Sequence, residues 1–345
     1  MIEKLEHFKD PYWLNKRRKN IFNKLFLDLT KFHLKNNANY KKFSDFFSPT
    51  INSIKDTVPL PVRIFKDNDL KTSNIKIIKE LNSSGTSGNK SRIYLDRINS
   101  INQSKVLSKI MKNNVGGDRL PMLIVDKKPK SSNILSASSA AINGFSMFGR
   151  DHIFLIDDHG KLNSKKLYEF EKKYKNKKKI IFGFTFNIYK YLVEKKYSRK
   201  VNLNNAMILH GGGWKKLENK KIEKKKFNDL LIKKYNLDRV INYYGLVEQT
   251  GSIFMECKYG YFHCSIYSDI YILDKSFKIR KNGKEGIVQL LSLLPTSYPG
   301  HNILTEDLGI IVGENNCKCG RLGKYFKITG RIKKSENRGC SDANL

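Results

Sequence analysis

The first stretch able to do chemistry is Ser83-Ser84-Gly85-Thr86-Ser87-Gly88-Asn89-Lys90-Ser91-Arg92. Small residues let backbone N–H groups approach phosphate oxygens, hydroxyls add donors, and the cations neutralise charge. Asn89 separates Gly88 from Lys90 and β-like sequence follows, so this is not a Walker A loop. On its own, such a stretch is more often a plain turn. The cysteines are the second feature. Five in a chain with no sign of secretion is an odd number, which argues against a disulfide framework. Cys317-Lys318-Cys319 offers two thiolates, and Cys257 and His263 lie in the same part of the chain. Together they offer a Cys₃His set for structural Zn²⁺; buried, inert thiols are the alternative, and Cys264 is either a substitute ligand or a core residue. Cys340 stands apart near the C-terminus. His210 is expected to cap a strand or line a pocket, and His301 to orient a substrate or do nothing catalytic. A Ser/His/Asp hydrolase signature is lacking, since Gly211-Gly212-Gly213-Trp214 supplies no nucleophile elbow.

The elements that must position these residues follow from composition and periodicity. Of 345 residues, 39% are hydrophobic, with 20 Phe and 17 Tyr, which is too apolar for a disordered basic tail. The 66 Lys+Arg against 32 Asp+Glu give a net charge of +34. Most of these cations are lysines spread along the chain, where a nucleic-acid reader clusters Arg and Lys with a reading motif. Nucleic-acid binding is therefore not expected. The start, MIEKLEHFKD, lacks the apolar region of a secretory signal. The longest apolar stretch, Gly286 to Pro295, is strand-sized, so no transmembrane segment and a cytoplasmic location are expected.

Phe22, Leu25, Phe26 and Leu29 recur at helical spacing, and Phe43, Phe46 and Phe47 make a second apolar stripe. Residues 1–75 therefore read as a helical segment packing on a core. Val58-Pro59-Leu60-Pro61 breaks that pattern and leads into the first sheet. From Ile75 the texture changes. Ile75–Ile78 and Ile93–Leu95 read as strands flanking the Ser/Gly loop, and Lys179–Phe184 and Ala206–Leu209 as buried strands. Phe186–Glu194 and Ile222–Tyr235 suit helices, and Lys172–Lys179 reads as an exposed helix end or loop. Strands alternating with helices predict an α/β fold with a mainly parallel sheet to about residue 250, followed by a β-rich subdomain over about 251–330. Residues 76–330 form the expected core and 331–345 a short tail carrying Cys340.

In that order along the chain, five motifs resemble those of the adenylate-forming acyl-activating superfamily. They are the loop at 83–92, His210-Gly211-Gly212-Gly213 after a strand, Tyr244-Gly245-Leu246-Val247-Glu248, Thr305-Glu306-Asp307-Leu308-Gly309, and Gly330-Arg331. HGGGWKK (210–216), NYYGLVEQTGSIFMEC (242–257), SYPGHNILTEDLG (297–309), CGRLGKYFKITGR (319–331) and the closing Arg338-Gly339-Cys340-Ser341-Asp342 are similar to a narrower family. That family is the acyl-protein synthetases of bacterial fatty-acid reductase complexes, which feed aldehyde production in bioluminescent bacteria. The likeness runs from about Asn82 to the C-terminus.

The resemblance implies ATP-dependent activation of a fatty or other carboxylic acid to acyl-AMP, with transfer to a cysteine as a thioester for an acyl reductase partner. Ser84, Gly85, Thr86, Ser87 and Gly88 would hold the phosphates, with Arg331 and Lys90 or Arg92 supplying positive charge. Gly211, Gly212 and Gly213 would line the adenine side, Tyr244 would pack against the adenine or shape the acyl channel, and Gly245 would belong to the same nucleotide-binding set. Glu248 would bind Mg²⁺, and Asp307 the ribose hydroxyls. Only 14 residues follow Arg331, so the superfamily's mobile C-terminal domain, and CoA-site formation by its rotation, are expected to be absent. Cys340 is the expected acyl recipient, its thiolate favoured by Arg338, Lys333 and Lys334. A phenylacetate-type CoA ligase and a non-catalytic scaffold of an acyl-reductase complex are the rival readings.

Overall fold

Continuous apolar runs mark strands covered on both faces, and the two clearest, Lys179–Phe184 and Ala206–Gly211, are neighbours in a parallel sheet. In a computed structural model, the structure describes residues 2–12, 15–48, 50–83, 90–130, 132, 134–214 and 222–332. The chain divides into two compact units. Among the described residues, one comprises those of Met1–Val115, Asn133–Leu135 and Gly245–Glu336; the other comprises those of Gly116–Ser132 and Ser136–Tyr244.

In the second unit the parallel strands run in the order Arg239–Tyr244, Ala206–Gly211, Lys179–Phe184, Leu120–Ile124, Gly149–Phe154. The first strand in sequence is thus flanked by the second and the third. This is a doubly wound order whose crevice opens at the carboxyl ends of the strands. Phe170, Ile188, Leu192, Phe227 and Leu231 come from helical segments to cover Leu123, Ile181 and Ile208 of the sheet. The expected Phe186–Glu194 helix is a short α-helix, Thr185–Ile188, continued as a π-helix, Tyr189–Glu194. The run predicted as exposed at Lys172–Lys179 buries two side chains, Tyr174 and Lys179. Lys179 opens the strand and is 1% exposed, its ammonium donating to the Asn204 carbonyl. The cation is tolerated there because its apolar stem packs inward and its head finds an acceptor.

In the first unit an antiparallel sheet runs in the order Phe262–His263, Lys324–Arg331, Asn302–Glu314, Gly286–Ser292, Ser268–Leu273. Leu60–Pro61 joins it in parallel against Ile303 and Leu304, where the Pro-containing stretch was expected to enter a sheet. A separate three-stranded sheet includes the antiparallel pair Ile77–Asn82 with Arg92–Asp96, which brackets the Ser/Gly loop. Helix Lys16–Asn36 buries Phe22, Leu25, Phe26 and Leu29 as the spacing predicts. Helix Ala38–Phe47 does not follow its aromatic stripe. It buries Tyr40 and Ser44, one turn apart, and leaves Phe46 and Phe47 81% and 61% exposed. Those two rings meet edge to face, and Phe47 also meets Phe43 at a tilt. Among the described residues no helix is long and apolar enough to cross a membrane.

Candidate functional site

Antiparallel pairing brings Ser83 and Ser91 together at the foot of the Ser/Gly loop. Ser83 N–H donates to the Ser91 carbonyl (3.0 Å), and Ser91 N–H donates to Ser83 Oγ (2.9 Å). Ser91 Oγ then donates to Glu248 Oε1 at 2.8 Å, across 157 residues of sequence. Glu248 is only 4% exposed, which excludes the solvated surface carboxylate that an isolated Glu would suggest. Its short 3₁₀ turn, Val247–Gln249, is pinned on several sides. Gln249 donates to the carbonyls of Leu290 and Gly300, and the Tyr298 hydroxyl accepts from Thr250 N–H. A Cβ at Gly300 would lie 2.5 Å from the Glu248 carbonyl oxygen, so glycine is required there. The five loop residues Ser84 to Gly88 lie outside the described residues. Ser91 escaped the sequence reading, although its place as the last hydroxyl of the loop was the available signal.

Asp307 and Arg331 face each other in the register of neighbouring strands, with Arg331 Nε 3.3 Å from Asp307 Oδ1. Arg331 also bonds Glu306 Oε2 at 2.9 Å, and Arg63 bonds the other Glu306 oxygen. Two guanidiniums and two carboxylates thus hold one another at the end of the sheet, with the Asp307 side chain 15% exposed. Glu306, which the sequence did not single out, stands where the superfamily motif has glycine, and its carboxylate bonds both Arg331 and Arg63. Arg92 lies 3.4 Å from Asp69, which also accepts from the Tyr94 hydroxyl.

In the other unit His210-Gly211 ends a parallel strand at the sheet's carboxyl edge. Thr185 Oγ1 lies 3.0 Å from His210 Nδ1 and donates to the Gly211 carbonyl. Burial and the nearby Lys224 lower the His210 pKa to about 3, so the ring is neutral. A Cβ on Gly211 would sit 2.6 Å from the Tyr243 ring and 2.7 Å from its carbonyl oxygen. Gly212 has φ +78°, which favours glycine. Tyr243, buried against Phe145 and Phe182, packs this edge, while Tyr244 beside it is half-buried. Gly213 follows in the same loop, and Gly245 begins the segment leading to Glu248.

His301 is not a substrate-facing loop histidine. It is fully buried and stacks on His33 at 4.9 Å, with Thr30 Oγ1 3.1 Å and Tyr40 Oη 3.4 Å from its Nε2. His33 Nε2 lies 2.9 Å from the Pro295 carbonyl. Burial holds His33 down to about 4 and His301 well below its ordinary value, so both are neutral when folded. The unfolded chain protonates them near 6.5 and therefore binds more protons between about pH 6.5 and 4. Stability is expected to be full above that window and to fall on acidification through it, by about 3 kcal/mol from His33 alone. Urea midpoints from pH 7.5 to 4.5 check this. A His33→Asn variant should show a shallower pH slope whatever its own stability.

The Cys/His group comes together. Cys257 Sγ is 4.0 Å from Cys317 Sγ, Cys319 Sγ is 3.4 Å from His263 Nε2, and all four ligand atoms lie within 4.8 Å of one another. Burial pushes the Cys317 thiol up to about 12, and burial with the nearby Arg321 lowers His263 to about 4. Cys264 stands outside the group as a buried core residue, its N–H donating to the Lys324 carbonyl. Cys340 lies outside the described residues.

Comparison with known proteins follows the same lines. The family model described as "Acyl-protein synthetase, LuxE" matches residues 2–344. A long-chain-fatty-acid--luciferin-component ligase of Aliivibrio fischeri is 25% identical over 96% of this chain and 90% of its own length. Its counterpart in Vibrio harveyi is 23% identical over 95% and 88%. Among solved structures, 2-hydroxyisobutyryl-CoA ligase in complex with 2-HIB-AMP superposes with a TM-score of 0.69 at 13% identity, covering 94% of this chain and 70% of that one. ATP-bound MatB from Rhodopseudomonas palustris gives 0.51 at 13% identity over 77% of this chain, which spans about half (49%) of MatB's length. The fold is that of the N-terminal domains of adenylate-forming enzymes.

Proposed function

Because the chain belongs to the acyl-protein synthetase (LuxE) family, we propose that it is an ATP-dependent, AMP-forming ligase that activates a carboxylic acid and passes the acyl group to a cysteine thiol. The relatives' names make a long-chain fatty acid the first substrate to test. The observation that carries this reading is the bond from Ser91 to the buried Glu248 carboxylate, which ties the Tyr-Gly-x-x-Glu motif to the foot of the Ser/Gly loop.

Condensing a carboxylate with ATP brings two anions together, so the protein must offset charge and align the reacting oxygen with the α-phosphorus. Backbone and hydroxyl donors of Ser84 to Gly88 would hold the phosphates. Glu248, a buried acceptor beside that loop, would hold Mg²⁺, which when bound offsets phosphate charge and makes pyrophosphate a better leaving group. Asp307, fixed by Arg331, would accept from the ribose hydroxyls, and Arg331 would contact ribose or phosphate. Gly211, Gly212 and Gly213 would line the adenine side, with Tyr244 packing against the adenine or shaping the acyl channel and Gly245 in the same set, as the resemblance implies.

In the first step the carboxylate oxygen bonds to the α-phosphorus and the bond to the bridging oxygen breaks, releasing pyrophosphate. In the second, the Cys340 thiolate bonds to the acyl carbon, the acyl–oxygen bond breaks, and AMP leaves with that electron pair. The thioester would then serve an acyl reductase partner.

ATP–pyrophosphate exchange across carboxylates of graded chain length tests the reading. Exchange that depends on an added acid, with no CoA required, is the expected result. No exchange with any acid would favour a non-catalytic scaffold, and a product that forms only with CoA would favour a CoA ligase.

A further inference from the structure

Two four-residue turns of the same form sit beside the Phe262–His263 strand. In Cys257-Lys258-Tyr259-Gly260 the cysteine carbonyl accepts from the glycine N–H at 2.9 Å, and in Cys317-Lys318-Cys319-Gly320 at 3.0 Å. The glycines have φ +80° and +85°, a conformation other residues rarely take. The sequence thus repeats Cys-Lys-x-Gly because each turn folds back to present its leading sulfur.

The side chains converge from three elements. Cys257 and Cys317 lead the two turns, Cys319 lies inside the second, and His263 comes from the strand between them in space. The His263 ring lies parallel to Tyr325 at 5.6 Å and meets the edge of Tyr12 at 6.2 Å, which fixes Nε2 toward Cys319. Tyr261 and Tyr325 pack against the thiols and keep water away. With metal–sulfur and metal–nitrogen bonds of about 2.3 and 2.0 Å, a tetrahedral site has edges of about 3.5–3.8 Å. The 4.0 Å and 3.4 Å separations fit such edges. A disulfide would need sulfurs about 2.05 Å apart.

We propose that Cys257, His263, Cys317 and Cys319 bind one zinc ion as a closed, structural Cys₃His site. Three soft thiolates and one imidazole in a tetrahedron select zinc over oxygen-seeking cations. All four corners come from the protein, so no position is open for substrate. Binding expels the three thiol protons to solvent and leaves a site of net charge −1. The ion clamps both turns to the sheet. It also steadies the N-terminal segment, since Pro11 and Tyr12 carbonyls accept from Ile266 and Leu322 N–H groups on either side of the site.

The test is metal analysis of the full chain, carrying no polyhistidine tag and purified without chelator. About one equivalent of zinc per chain is expected, retained in Cys264→Ser and Cys340→Ser and lost in Cys317→Ser. Where Cys317→Ser is insoluble, cobalt exchanged into the wild-type protein replaces it. Tetrahedral d–d bands and sulfur-to-cobalt charge transfer support the site, and their absence overturns it. Zinc below about a tenth of an equivalent, zinc unchanged in Cys317→Ser, or a Cys257–Cys317 disulfide in the mass map also overturns it. None of these readouts needs ligase activity, so the zinc site and the ligase reading fail independently.

Discussion

Glu248→Gln is expected to lower acid-dependent ATP–pyrophosphate exchange by roughly 10²- to 10³-fold while leaving the fold intact. Glutamine keeps the shape and one carbonyl oxygen, so Ser91 retains an acceptor where it now bonds at 2.8 Å. What disappears is the negative charge. An amide holds Mg²⁺ far less well than a carboxylate, and a bound divalent ion is worth several kcal/mol to a reaction that gathers charge on phosphate oxygens. At about 1.4 kcal/mol per tenfold, losing part of that stabilisation gives the stated range. Raised Mg²⁺ should restore some of the rate. Ser91→Ala is the informative companion, because it keeps the charge and removes only the hydroxyl that orients it. Its loss should be smaller and fall mainly in the KM for ATP. Unchanged exchange in Glu248→Gln, with a normal melting curve, would remove Glu248 from the site and leave it a buried structural acid.

How far these residues were legible in the sequence depended on how local their determinants are. KIIFGF and AMIL read as buried strands because a continuous apolar run has no solvent face to offer, and the second runs on through His210 and Gly211. The Phe22 to Leu29 stripe was legible for the same kind of reason, as one helix burying one face. The Phe43 to Phe47 stripe was not. Helix Ala38–Phe47 has two plausible inner faces, and the hydrogen bond from Tyr40 N–H to Asn37 Oδ1, with Tyr40 and Ser44 buried, decides between them. Partnerships across long separations were invisible. Nothing around His301 announces that His33 will stack on it, and nothing around Glu248 announces Ser91. The cysteines lie between these extremes. Their types suggested a metal, and the repeated Cys-Lys-x-Gly was there to be read, but only the sheet register of His263 with Tyr325 brings the two turns to one place.

Cys340→Ser is expected to abolish covalent acylation completely while leaving acid-dependent exchange within about twofold of wild type. The first half follows from nucleophilicity, since a thiolate attacks an acyl-adenylate readily and a serine hydroxyl without a general base does not. The second half follows from order, because exchange reports only the step before transfer. Labelled fatty acid with ATP, followed by intact mass and neutral hydroxylamine, reads both the adduct and its thioester character. The other cysteines sharpen the result. Cys257, Cys264 and Cys317 are buried; burial raises the Cys264 thiol well above its ordinary value, and Cys257 and Cys317 would be held by the metal in the zinc site. Cys319 is the part-exposed one among the described thiols, and in the zinc site it would be bound by the metal. Label that persists in Cys340→Ser and maps to Cys319 would therefore overturn both assignments at once. Label that vanishes in Cys340→Ser but survives in Cys319→Ser would leave Cys340 as the thiol that takes the acyl group.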